Sequence, residues 1–268
     1  MENLFLTSLL SMAALAVFFA SILSFADRKL KVQDDPRVDK INHILPGVNC
    51  GACGYLSCHD FAEHIVKDDA DPGKCRVLDE EARKELFELS GKDVKETVRK
   101  IAVVHCAAGT DDKQPRAVYI GRKTCGAANL VLGGSMQCEY GCMGFGDCVE
   151  VCPFDAIIMK NALPVVDINK CTACGNCVKA CPRDVISLQE KKYENLFYVA
   201  CKSHDTALRV REICKAGCIG CGICEKLSKE GFFKVKDNLA YPDYPKQDNQ
   251  EEVEALSAKC PKKVIKKT

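Results

Sequence analysis

The 268 residues carry 38 basic and 37 acidic side chains, 20 cysteines and no tryptophan. A balance this close to neutral excludes a chain drawn to nucleic acid by its overall field, and the sparse aromatic residues offer no base-stacking platform. The chain is too long for a disulfide-stapled miniprotein, so cysteines gathered in short loops read as metal ligands in a reducing, cytoplasmic setting. With so many side chains committed to metal the hydrophobic cores must be small, and the apo-chain is expected to fold poorly.

In chain order, Leu4 to Ala26 contains no charged residue. Its 23 residues, at ~1.5 Å each, are long enough to cross a bilayer core of ~30 Å. Asp27-Arg28-Lys29-Leu30-Lys31 follows, and this basic excess places the rest of the chain on the cytoplasmic side of the inner or plasma membrane as a single-pass protein. A cleaved signal would need a positive n-region, which Met1-Glu2-Asn3 lacks. Residues 1–26 are therefore expected to form a transmembrane anchor and residues 27–37, with Pro36, a linker.

Residues 38–97 read as a small helical module. Cys50, Cys53, Cys58 and Cys75 are its ligand candidates. Cys58, Phe61, Ala62, Ile65 and Val66 recur at helical spacing, and Asp71-Pro72-Gly73 turns the chain back so that Cys75 returns. A four-cysteine zinc site is usually built from two close cysteine pairs; only one occurs here, which favours iron–sulfur. His43, His59 and His64 pair into no ligand geometry. A charged helix follows, with Asp79 as N-cap, Gly91 as C-terminal stop and Leu78, Ala82, Leu86 and Leu89 on one stripe.

The remainder reads as an internal repeat, residues 98–195 and 196–268. The runs IAVVHC (101–106) and LFYVAC (196–201) are buried strands ending in cysteine. Aligning Cys138 with Cys214 matches Cys142 to Cys218 and Cys148 to Cys224, sets Phe145 opposite Cys221, and sets Cys152 opposite Ser228.

The run CTACGNCVKACP holds Cys171, Cys174, Cys177 and Cys181, closed by Pro182. Thiolates three residues apart in one loop wrap three corners of a [4Fe–4S] cube, and the cysteine before proline ligates a second cluster. The spacing thus assigns Cys171, Cys174 and Cys177 with Cys152, and Cys138, Cys142 and Cys148 with Cys181. Cys218, Cys221 and Cys224 take Cys260 from a distant Cys-Pro. The partner cluster of that half is missing: Ser228 stands at its near ligand, and residues 241–250 contain no cysteine. Cys106, Cys125, Cys201 and Cys214 remain and are assigned to a fifth cluster bridging the repeats, although exchange between Cys138 and Cys125 stays open because spacing does not order the corners. No residue is expected to act as acid, base or nucleophile.

An uncharged anchor, CGACGYLSCHDFA with DPGKC, QCEYGCMGFGDCVEVCPFDAI and CTACGNCVKACP follow one another in that order. Over essentially its whole length the chain resembles the B subunit of the Rnf complex, the membrane-bound ferredoxin:NAD oxidoreductase that pumps sodium ions or protons. The resemblance implies an α+β protein: one transmembrane helix, a small helical 4Fe-4S module and a ferredoxin-like polyferredoxin domain with an internal repeat. It further implies a relay that accepts electrons from soluble reduced ferredoxin and passes them to other Rnf subunits for NAD reduction coupled to ion translocation. That reaction belongs to the assembled complex, and no nucleic acid is involved. Three other readings are a related complex that reduces a redox-sensing regulator, a zinc-stabilised, membrane-tethered binding module, and a catalytic iron–sulfur enzyme with an open iron, against which the four thiolates of every quartet argue.

Overall fold

The computed structural model describes residues 2–30, 35–67, 69–93, 98–244 and 247–268. Helix α1 (Glu2–Leu30) continues past the expected end at Ala26 and takes in Arg28 and Lys29 in its last turn. Its segment Leu6–Lys29 spans 24 residues, its most apolar 18-residue stretch has a mean hydropathy of 2.3, and none of that stretch is buried within the chain. A helix apolar on all sides and packed against nothing fits a lipid environment.

Pro36 is the first residue of α2 (Pro36–Ile44) rather than part of a linker running to residue 37, and the Asp35 side chain caps it by accepting from the Arg37 amide. Proline is well suited here, since its missing N–H would be unpaired in a first turn anyway. Ser57 caps α3 (Cys58–Val66), and a 3-10 turn at Pro72–Lys74 returns the chain to Cys75. Helix α4 (Glu80–Ser90) has the expected Asp79 cap and ends at Gly91, with φ 66°. It buries Leu86 and Phe87, whereas Leu89 is exposed. These helices share a core of Val38, Ile41, Leu45, Phe61, Ala62, Ile65 and Leu86.

Strand β1 (Lys100–Val104) leads through α5 (Cys125–Leu130) and α6 (Asp147–Glu150) to β2 (Ile157–Lys160) and β3 (Leu163–Val166), then through α7 (Asn176–Ala180) to β4 (Ile186–Glu190). Strand β5 (Phe197–Val199) opens the second half, followed by α8 (Ala207–Ile213), α9 (Ile223–Leu227), β6 (Phe233–Lys236), β7 (Leu239–Pro242), α10 (Gln250–Ala258) and β8 (Ile265–Lys267). Each half pairs its first strand with its last, antiparallel, around an inner hairpin. The registers correspond: Val104 faces Ile186, and Val199 faces Ile265. The chain is thus α+β with a duplicated ferredoxin-like unit. Gly144 and Gly220 occupy matching places. A Cβ there would lie 2.8 Å from Ala162 O or 2.7 Å from Asn238 O at the tip of the facing hairpin, so both halves keep a glycine where loop and hairpin touch. His105 joins the halves: Nδ1 lies 2.9 Å from Val199 O, and Nε2 2.7 Å from Ser187 Oγ.

Candidate metal centres

All 20 cysteines are free thiols, and the fold gathers them into five groups. In the helical module, Cys53, Cys58 and Cys75 back onto the core. Asn49 Oδ1 accepts from the Cys58 amide at 2.7 Å, which fixes the start of α3 against the loop carrying Cys50. Burial raises the Cys75 thiol pKa, and Cys53 and Cys50 are close enough to raise it further.

In the first ferredoxin-like half, Cys152, Cys171, Cys174 and Cys177 rim a cavity of about 310 Å³ floored by Ala102, Ala156 and Leu188. Thr172 also lines it; its Oγ1 is buried and has no hydrogen-bond partner among the described residues. A second cavity, about 390 Å³, is lined by Cys125, Cys142, Cys148 and Cys181. A third, about 470 Å³, lies between the halves and is lined by Cys106, Cys138, Cys201 and Cys214, and also by Cys142, which lines the second cavity as well. The fourth, about 380 Å³, is lined by Cys218, Cys221, Cys224 and Cys260.

Cys125 and Cys138 therefore exchange places relative to the sets that spacing assigns. The Asp147 carboxylate, in the first turn of α6, accepts from the amides of Cys125 (2.7 Å) and Gly126 (3.1 Å) and so holds the start of α5 over Cys148. Cys138 instead packs with Ala108, Val210, Ile213 and Cys214. The repeat carries the signal: Cys138 aligns with Cys214, a residue of the bridging site. Cys125 lines the first half's cavity, where Phe145 stands opposite Cys221 of the second half.

Burial pushes the thiols of Cys148, Cys177 and Cys201 up to about 12, helped by neighbouring thiols, and those of Cys142, Cys214 and Cys224 to about 11. Buried thiols crowded this way become thiolates only against a cationic partner. Among the described residues no three His, Cys, Asp or Glu side chains converge as a single ion requires; each cavity quartet surrounds a space instead. Backbone donors reach sulfur, among them Val185 N to Cys181 Sγ and Cys218 N to Cys201 Sγ, both at 3.3 Å. Thiol quartets around apolar cavities, amide donors to sulfur and the orphaned Thr172 hydroxyl fit a cluster of iron and sulfide.

Neighbouring groups are connected: Cys177, Cys148, Cys142 and Cys106 border one core, the Cys218 amide donates to Cys201 Sγ, and Cys50 acts to raise the Cys174 thiol.

Two family models match the chain, an "Fe-S cluster" family over residues 45–77 and the 4Fe-4S dicluster domain over residues 136–186. The B subunit of the ion-translocating oxidoreductase complex of Methanosarcina acetivorans is 35% identical over 266 residues, 99% of both chains. The chain belongs to the family of Rnf complex B subunits. The B subunit of the Na(+)-translocating ferredoxin:NAD(+) oxidoreductase complex of Acetobacterium woodii is 35% identical, over 92% of this chain and 74% of that one. Its counterpart in the proton-translocating complex of Clostridium ljungdahlii is also 35% identical, over 98% of this chain and 93% of that one. This Rnf B subunit is accordingly an iron–sulfur electron-transfer component of an ion-translocating oxidoreductase complex, and α1 is compatible with a transmembrane helix.

Proposed function

We propose that this Rnf B subunit accepts electrons from reduced ferredoxin and relays them through five [4Fe–4S] clusters to partner Rnf subunits, which reduce NAD and translocate ions. The observation that carries this reading is the gathering of the 20 cysteines into five thiol groups, four of them lining cavities. Cys50, Cys53, Cys58 and Cys75 would hold the first cluster and Cys152, Cys171, Cys174 and Cys177 the second. Cys125, Cys142, Cys148 and Cys181 would hold the third, Cys106, Cys138, Cys201 and Cys214 the fourth, and Cys218, Cys221, Cys224 and Cys260 the fifth. When bound, such clusters take up and release single electrons at low potential.

The chain's own residues hold, bury and align the sites. Cysteines fix each position, amides of the ligand loops donate to sulfur, and Leu188, Ile186 and Ile265 exclude water from the cavities. The names of the Acetobacterium and Clostridium relatives, components of ferredoxin:NAD(+) oxidoreductase complexes, support ferredoxin as donor. Arg28 and Lys29 at the end of α1 support a cytoplasmic location for the rest of the chain. By position, the anchor lies in α1, a short linker joins it to α2, the helical module begins with α2 and runs to residue 97, and 98–195 and 196–268 are the two repeats.

The test uses membranes containing the assembled complex. Reduced ferredoxin should bleach the iron–sulfur absorbance of this chain and drive NAD reduction, and both should stop when the chain is deleted. NAD reduction by ferredoxin that persists without it would remove the relay role.

A further inference from the structure

Among the described residues only two formally charged side chains are buried, Lys113 (6% exposed) and Arg183 (9%), and both lie at the two central thiol sites. Arg183 lines the Cys125 cavity and Lys113 the bridging cavity. Lys113 Nζ donates to Cys142 O at 2.7 Å. Arg183 Nη1 donates to Cys138 O at 2.9 Å and Gly141 O at 2.7 Å, Nη2 donates to Gly133 O, and Nε reaches Asn129 Oδ1 at 3.5 Å. All these acceptors are neutral. Among the described residues no carboxylate stands within ion-pair distance of either cation. The carboxylate that Arg183 senses is Glu139, itself exposed and bonded to Arg116 at 2.9 Å. Asp112 and Asp205, at the edge of the bridging site, already accept from the Gly109 amide and the Ser203 hydroxyl.

A buried cation without a counter-charge is strongly disfavoured, and each of these two lines a cavity that cysteines surround. Lys113 Nζ donates to the carbonyl of Cys142, and Arg183 Nη1 to that of Cys138. Cys142 and Cys138 belong to different central sites, and the Cys138–Cys142 loop passes between them. The other half offers a control. Lys262 follows Cys260-Pro261 as Arg183 follows Cys181-Pro182, yet it is part-exposed and reaches only Lys215 O at 2.9 Å.

We propose that Lys113 and Arg183 are the buried counter-charges of the two central cysteine quartets, holding the anionic clusters there and favouring their reduced state. The proposal rests on the assignment of those quartets as cluster ligands. A fixed positive charge stabilises the more negative, reduced form, so central clusters would hold an electron more readily than the flanking ones.

The test compares charge-keeping with charge-removing exchanges in the anaerobically purified full chain: Lys113→Arg against Lys113→Gln, and Arg183→Lys against Arg183→Gln. Iron and sulfide are counted, and midpoint potentials are read by EPR-monitored titration. At one position or both, the neutral variant should either shift one central cluster to lower potential, with about tenfold less of it reduced at fixed poise, or lose that cluster, while the cationic variant keeps both. Neutral and cationic variants that behave alike at both positions would overturn the proposal. The ligand assignment fails separately, if the unsubstituted chain lacks iron at the central sites.

Discussion

The two ferredoxin-like halves share strand register, hairpin and loop glycines, yet among the described residues one half surrounds two cavities with its own thiols and the other surrounds one. In the first half, the Cys152 cavity is floored by Ala102 and Ala156. Counted from the matching strand-end cysteines and from the Cys152/Ser228 pair, the second half has Phe197 and Phe232 at these places, both fully buried. The backbone around them is unchanged: Asp167 N bonds Ala156 O, and Asp243 N bonds Phe232 O, each at 2.7 Å. Gln247 stands where Cys171 would be, its side chain accepting from Phe197 N and donating to Phe197 O. Val253, at the place of Cys177, joins Phe232, Phe233 and Leu256 in the core. Ser228, in place of Cys152, accepts from the Phe232 amide at 2.6 Å. The same backbone thus surrounds a thiol-lined cavity in one half and is packed with aromatic carbon in the other, where Ser228, Gln247, Gln250 and Val253 also stand in place of the four cysteines.

The comparison can be broken from either side. The largest effect is expected for Ala156→Phe, which puts the second half's aromatic ring into the first half's cavity. About 4 of ~20 iron atoms should be lost, measured as iron and sulfide per chain. Retention of all iron would show that the alanine floor is not what admits the cluster. Phe232→Ala is the reciprocal test: the second half should lose about 3–5 kcal/mol of stability with iron unchanged, read from anaerobic denaturant unfolding followed by far-UV circular dichroism. Cys125→Ala and Cys138→Ala sharpen the partition within the first half. Each should perturb a different EPR signal, the former that of the Cys148 site and the latter that of the bridging site; one shared signal lost in both variants would restore the grouping that spacing assigns. The smallest effect is expected for Thr172→Val. Removing the only buried hydroxyl left unpaired among the described residues should move one cluster to slightly lower potential without loss of iron, because a donor to sulfur favours the reduced form.

Much of this is legible in the sequence because thiolate spacing is dictated by a rigid cube. The Cys171-x2-Cys174-x2-Cys177 loop and its distant partner Cys152 do line one cavity, as do Cys218, Cys221, Cys224 and Cys260. Spacing fails at Cys138, where three residues before Cys142 serve equally well for one site or two. The position is set by tertiary contacts, the Asp147 clamp on Cys125 and the packing of Cys138 against α8, that no local pattern encodes. Internal symmetry does carry the answer. Lys113 and Arg183 give no signal at all, since isolated basic residues in a polar loop read as solvated until the fold closes over them. Pro36 reads as linker because proline breaks helices in their interior, yet it also starts them.

The most direct test of the central reading is the content of iron, acid-labile sulfide and zinc per chain in the anaerobically purified protein. Five quartets, each holding a cubane, give about 20 iron and about 20 sulfide. About 16 of each would contradict the bridging site of Cys106, Cys138, Cys201 and Cys214, and stoichiometric zinc with little iron would contradict the electron relay altogether.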